Sequence, residues 1–120
     1  MSKAEDLFFE QMKACDLPIP EREIQLITGR KWRCDFVWPS YELAVEIEGG
    51  QWVGGRHHRP AGFEKDAEKY NQVAMAGYCL FRFTPSMIRS GLAEASVREY
   101  FHRWHRLEEL EKEDLLSASS

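Results

Sequence analysis

Asp35, Glu46 and Glu48 lie on two stretches that read as neighbouring strands, and their spacing decides whether they can act together. In residues 33–38, period-two alternation puts Cys34, Phe36 and Trp38 on one face and Arg33, Asp35 and Val37 on the other. In residues 42–48, Leu43, Val45 and Ile47 share one face, and Ala44, Glu46 and Glu48 the opposite one. A turn centred between Ser40 and Tyr41 sets Asp35 directly across from Glu46, with Cβ atoms about 5 Å apart. Like charges facing each other in a sheet destabilise it unless a cation or a raised pKa compensates. A divalent cation meets that need, since carboxylate oxygens are the hard ligands preferred by Mg²⁺ or Mn²⁺. Asp35 and Glu46 are therefore the expected metal ligands, and the backbone carbonyl of Ile47 is a further candidate oxygen. The competing explanation is an idle solvated sheet edge, with Arg33 bridging to Glu48; three converging carboxylates weigh against it.

Glu5 joins this group by a separate argument. Glu5, Phe8, Phe9 and Met12 are spaced i, i+3, i+4 and i+7, so a carboxylate sits on an otherwise apolar helical stripe and should point toward the sheet. Glu10, with Lys13 at i+3, belongs to a solvated face.

The elements that must position these groups can be read from local pattern. Residues 4–15 have helical periodicity, stopped by Leu17-Pro18-Ile19-Pro20. Residues 23–28, 33–38 and 42–48 read as a three-stranded meander with turn chemistry at Thr28-Gly29-Arg30 and Trp38-Pro39-Ser40-Tyr41. Gly49-Gly50 ends it, and a loop runs to about Gly62 with Gly54-Gly55 and Pro60 as breakers. A second helix over 63–76 ends at Gly77, a fourth strand covers 78–83, and Thr84-Pro85 caps the segment after that strand. Residues 92–116 are helical again, and 117–120 read as a frayed tail.

A chain of 120 residues supports one domain, here residues 1–116. No apolar run approaches the roughly 20 residues needed to cross a bilayer, and the first residues lack a secretory pattern, so the expected location is cytoplasmic with no membrane partner. Cys15, Cys34 and Cys79 are odd in number and widely spaced, which fits reduced core residues rather than a disulfide or zinc site. The net charge of −4 is local: residues 108–120 hold five acidic residues against Lys112 alone, and the rest of the chain balances. Basic residues cluster at Arg30, Lys31 and Arg33, at Arg56 to Arg59, and at Arg98, Arg103 and Arg106. A phosphate-binding face is compatible with this, but tight binding driven by charge alone is not.

With the elements in this order, Asp35 and Glu46-Ile47-Glu48 resemble the acidic motif of the PD-(D/E)XK nuclease superfamily. The stretches Trp32 to Pro39 and Ala44 to Gly50 are similar to the branch of very-short-patch repair endonucleases and small phage endonucleases. Gly54-Gly55-Arg56-His57-His58, Asp66 to Lys69 and Leu80 to Thr84 extend the similarity, which runs from about residue 4 to about residue 92. The resemblance implies an α/β, restriction-endonuclease-like core with C-terminal helices, metal at Asp35 and Glu46, and Glu5 in the first-helix glutamate position.

One departure is that Glu48 stands where the superfamily has a lysine. Its substitute is either Lys69, whose ordinary explanation is a surface pairing with Asp66, or a second metal held by Glu48. The implied function is a metal-dependent endonuclease hydrolysing DNA, phage-type and structure-specific for junction, mismatch or branched substrates. Asp35 and Glu46 hold Mg²⁺ (or Mn²⁺), and Glu48 or His57 positions the water. Arg33, Arg56, Arg59, His58 and Lys69 meet phosphate, and Trp52 stacks on bases. Cutting two strands calls for a homodimer, for which the stripe around Leu107, Leu110, Leu115 and Leu116 is available, although packing onto its own domain explains the stripe equally well. The rival readings are a catalytically inactive nucleic-acid-binding or recombination accessory module on the same fold, and a structural interaction protein that uses the acidic tail.

Overall fold

The computed structural model describes residues 2–49 and 60–119, with residues 60–63 and 119 as backbone only. Helix α1, Lys3–Ala14, starts at a capping box in which the Ser2 hydroxyl accepts from the Glu5 amide at 3.1 Å and the Glu5 carboxylate accepts from the Ser2 amide at 2.8 Å. Its apolar stripe buries Phe8 and Met12 completely.

Strands β1 (Glu21–Ile24), β2 (Cys34–Trp38) and β3 (Leu43–Ile47) form the antiparallel meander. Between β2 and β3, Pro39 opens a single 3-10 turn and Glu42 closes it with left-handed backbone. Phe36 pairs with Val45, Val37 with Ala44 and Trp38 with Leu43, the register expected from the turn position. After helix α2 (Pro60–Met75) the chain reverses at Gly77, whose φ of 93° suits glycine, and enters β4 (Cys79–Phe83). Strand β4 lies parallel to β3, giving a mixed sheet in the order β1-β2-β3-β4. Helix α3 (Pro85–Arg89) is capped by the Thr84 hydroxyl, and α4 runs from Leu92 to Ser119, through most of the tail expected to fray.

The sheet is covered on both faces. Phe36, Trp38, Leu43, Val45 and Phe83 pack against Phe8 and Met12 of α1, Ile88 of α3, and Ala93, Val97 and Phe101 of α4. The other face carries Val37 and Ala44 under Val73 of α2. Alternation breaks at one step. Cys34 belongs to the α2 side with Val37 and Ala44, not with Phe36 and Trp38 as strict period-two pattern requires. Strand β1 reverses at the same level: Arg22 lies over the Phe9 and Phe36 rings, whereas Ile24 packs beside Cys34. Between them Glu23 has a φ of 52°. Left-handed backbone there swaps the faces of the residues on either side and frees Asp35, across the ladder, from a regular sheet position. Cys79 also departs from expectation: it is an exposed thiol at the start of the edge strand β4 rather than a core residue, while Cys15 and Cys34 are buried and all three are free.

Candidate active site

The carboxylates collect at one end of the sheet, where the carboxyl ends of the parallel pair β3 and β4 meet the first turn of α1. Crevices outside the carboxyl ends of parallel strands are where open α/β sheets place their ligands. Asp35 is the pivot. Its Oδ2 accepts a 2.7 Å hydrogen bond from the Ile47 amide, so Ile47 contributes its N–H to the site. Burial pushes the Asp35 carboxyl up to about 7; the Ile47 amide opposes this, and the negative charges of Glu46 and Glu5 add to it. Glu5 lies close enough to Asp35 for each carboxyl to shift the titration of the other. Burial pushes Glu5 up, but the Ser2 amide and Asp35 outweigh it and hold the group below its usual range. Glu5 has two duties, capping its helix through Ser2 and reaching Asp35.

Alternation along β3 turns Glu46 and Glu48 toward α2, and each meets a cation there. Lys69 Nζ lies 2.5 Å from Glu46 Oε1 and 2.8 Å from the Arg33 carbonyl, and both side chains of this ion pair are more than four-fifths buried. Lys69 is therefore drawn into the site, and not onto Asp66. Glu48 is bound by Arg82 of β4, Nε to Oε1 at 2.5 Å, and the Arg82 guanidinium lies over the Tyr70 ring at 4.1 Å. The Tyr70 hydroxyl is 3.5 Å from the same Glu48 oxygen. The Arg33–Glu48 bridge expected from the sequence as a bland alternative is not formed: Arg33 donates to the Glu23 carbonyl at 3.3 Å, because the reversal at Glu23 holds it on the β1 side. Cys34, pushed up to about 12 by burial and by Glu46, stays a thiol and supplies no nucleophile.

Tyr70 is not marked out by the sequence, and Arg82 is marked there only within the Leu80 to Thr84 similarity, with no role of its own. Arg82 shares a register position with Glu46 in the parallel β3–β4 pair, a non-local pairing that emerges only once β4 is known to lie beside β3. Trp52, Arg56, His57, His58 and Arg59 lie outside the described residues. Among the described residues no group of three or more His, Cys, Asp or Glu side chains is arranged to hold a metal ion. No described helix is long and apolar enough to cross a membrane.

No protein-family model matches the chain. An uncharacterized protein of Mycobacterium tuberculosis, Rv2248 in strain ATCC 25618 / H37Rv and MT2308 in strain CDC 1551 / Oshkosh, is 32% identical over 66 residues, a stretch that covers 53% of this chain and 23% of the relative. The match therefore spans less than a quarter of the relative's length. Among solved structures, the catalytic domain of the homing endonuclease I-Bth0305I superposes with a TM-score of 0.64 over 87% of this chain and 98% of that domain, at 14% identity. At that identity the likeness concerns the fold alone.

Proposed function

We propose that this chain is a metal-dependent endonuclease that hydrolyses DNA phosphodiester bonds where Glu5, Asp35 and Glu46 meet. The observation that carries this reading is the Asp35 carboxyl, pinned by the Ile47 amide and flanked by two further carboxylates that help push it up to about 7. A dication that joins Asp35 and Glu46 offsets the repulsion between carboxylates gathered at a sheet mouth. The donor set fits Mg²⁺ or Mn²⁺: all oxygen, with two carboxylates, the number Mg²⁺ commonly takes from protein while keeping its waters. Asp35 and Glu46 would hold the ion, which supplies a water of lowered pKa and positive charge toward phosphate.

The chain's own groups divide the remaining work. The Ile47 amide fixes the orientation of Asp35, Glu5 stands beside that carboxyl, and Lys69 neutralises Glu46 from the α2 side. His57 or Glu48 orients water, and Arg56, Arg59, His58 and Arg33 bind the substrate backbone, with Trp52 against its bases. We place the chain, with residues 1–116 as one nuclease domain, in the very-short-patch-repair-like branch of the PD-(D/E)XK superfamily. An endonuclease catalytic domain of the same fold supports DNA as the substrate. Cutting both strands calls for two copies, and the stripe of Leu107, Leu110, Leu115 and Leu116, all exposed on α4, would join them.

The test is cleavage of labelled duplex, single-strand, mismatched and four-way-junction DNA with Mg²⁺ or Mn²⁺, comparing the protein with Asp35→Ala. Metal-dependent cutting that disappears in the variant supports the reading. A second reading, a nucleic-acid-binding module without chemistry on the same fold, is favoured by one observation: Glu46 and Glu48 are already neutralised by Lys69 and Arg82. Equal DNA binding by both proteins with no cutting by either would establish that module instead.

A further inference from the structure

Glu46 of β3 and Glu48 just after it each have a cation partner, but the two partners are placed for different tasks. The Lys69 side chain is 15% exposed and spends its ammonium on Glu46 and on the Arg33 carbonyl. An incoming phosphate would have to break both contacts and reach past α2. The Arg82 side chain is 44% exposed. Its guanidinium is anchored along one edge, Nε to Glu48, and through one face, over Tyr70. A guanidinium carries five N–H donors in a rigid plane, so an anchor through Nε leaves the two terminal nitrogens to form a fork for a phosphate. The aromatic face under the plane fixes its tilt and reduces the rotamer freedom lost on binding. Arg82 is also the register partner of Glu46, one residue along β3 from the amide that holds Asp35. An oriented, solvent-facing fork therefore sits beside the carboxylates, on the strand next to the glutamate that replaces the motif lysine.

We infer that Arg82 is the residue that binds the substrate phosphate at this site, with Glu48 and Tyr70 as its positioning residues and Lys69 confined to neutralising Glu46. The inference rests on the nuclease reading for the identity of the substrate, but phosphate contact is measurable without cleavage. The affinity of the full chain for a short labelled DNA duplex is measured in EDTA over a range of salt concentrations. Each phosphate neutralised contributes about 0.9 to the slope of log affinity against log salt. Arg82→Ala is expected to lower that slope by about 0.9, Arg82→Lys to keep it, and Lys69→Met to leave it unchanged. With Mg²⁺ or Mn²⁺, single-turnover cleavage by Arg82→Ala should fall by about 10²- to 10³-fold, as for loss of one preorganised donor at an oxyanion. Arg82→Lys should recover only part of that rate, since an ammonium restores the charge without the fork.

A folded Arg82→Ala with the slope of the unaltered protein overturns the inference, as does a slope that falls in Lys69→Met instead. Arg82→Gln, which keeps a donor for Glu48, replaces the alanine variant if that one does not fold. Absence of cleavage by the unaltered protein sinks the nuclease reading alone, and the EDTA slopes still decide for or against Arg82.

Discussion

Lys69 and Glu46 form an ion pair of 2.5 Å that closes the α2 side of the carboxylate cluster, so the position expected to help hold a metal already has a cation on it. Lys69 and a dication therefore compete for Glu46. Removing one member of a buried pair strands the other's charge, so Lys69→Met should cost on the order of 3 kcal/mol in metal-free buffer. Millimolar Mg²⁺ should then raise the melting temperature of Lys69→Met by more than it raises that of the unaltered protein. Thermal scans with and without the ion check this, and equal shifts in the two proteins would show that Lys69 and metal do not share Glu46.

Asp35 makes stability depend on pH in a stated direction. The folded carboxyl titrates at about 7, against an ordinary value of 3.8. Between those values the folded chain holds a proton that the unfolded chain has released, so the stability from this group is full below about 3.8, declines as pH rises to about 7, and is level beyond. Asp35→Asn removes that decline, and denaturant unfolding at a series of pH values should show the variant gaining on the unaltered protein from pH 4 to pH 7. Parallel curves would mean that Asp35 titrates normally.

Glu5 offers a separation of structural from chemical duty. Glu5→Gln preserves the capping-box acceptor for the Ser2 amide, so stability should hold within about 0.5 kcal/mol, whereas Glu5→Ala should lose about 1 kcal/mol. DNA cleavage should fall in both, because both remove the carboxylate that neighbours Asp35. Cleavage that tracks stability, falling only in Glu5→Ala, would reduce Glu5 to a helix cap.

Phe8 holds α1, and with it Glu5, against the sheet. Its ring is fully buried, with centroids 4.9 Å from Phe36 and 6.0 Å from Phe83. Phe8→Ala should destabilise the fold by about 3–5 kcal/mol in chemical denaturation. A loss below about 1 kcal/mol would mean that the cavity collapses and that α1 is not anchored there.

The parts of this site legible in the sequence are those set by local rules. Helix α1 is dictated by the spacing of Phe8 and Met12, and the β2–β3 register by a short turn at Pro39 that permits one antiparallel alignment. The capping box is also written locally, as Ser2 and Glu5 three residues apart. Arg82 is different: its meeting with Glu48 depends on a parallel pairing made across α2, and no residue near Arg82 announces which strand β4 will join. The face of Cys34 is illegible for another reason. Alternation presumes regular backbone, and a left-handed glutamate at position 23 has no sequence signal comparable to a glycine.

Helix α4 has a consequence for how the molecule tumbles. At 1.5 Å per residue its 28 residues extend roughly 42 Å, and the chain measures 63 × 33 × 22 Å with a radius of gyration of 16.7 Å, against roughly 14 Å for a compact chain of this length. Such a body rotates as a rod about its long axis and more slowly end over end. The friction felt by the whole will exceed that of a sphere of 14.0 kDa.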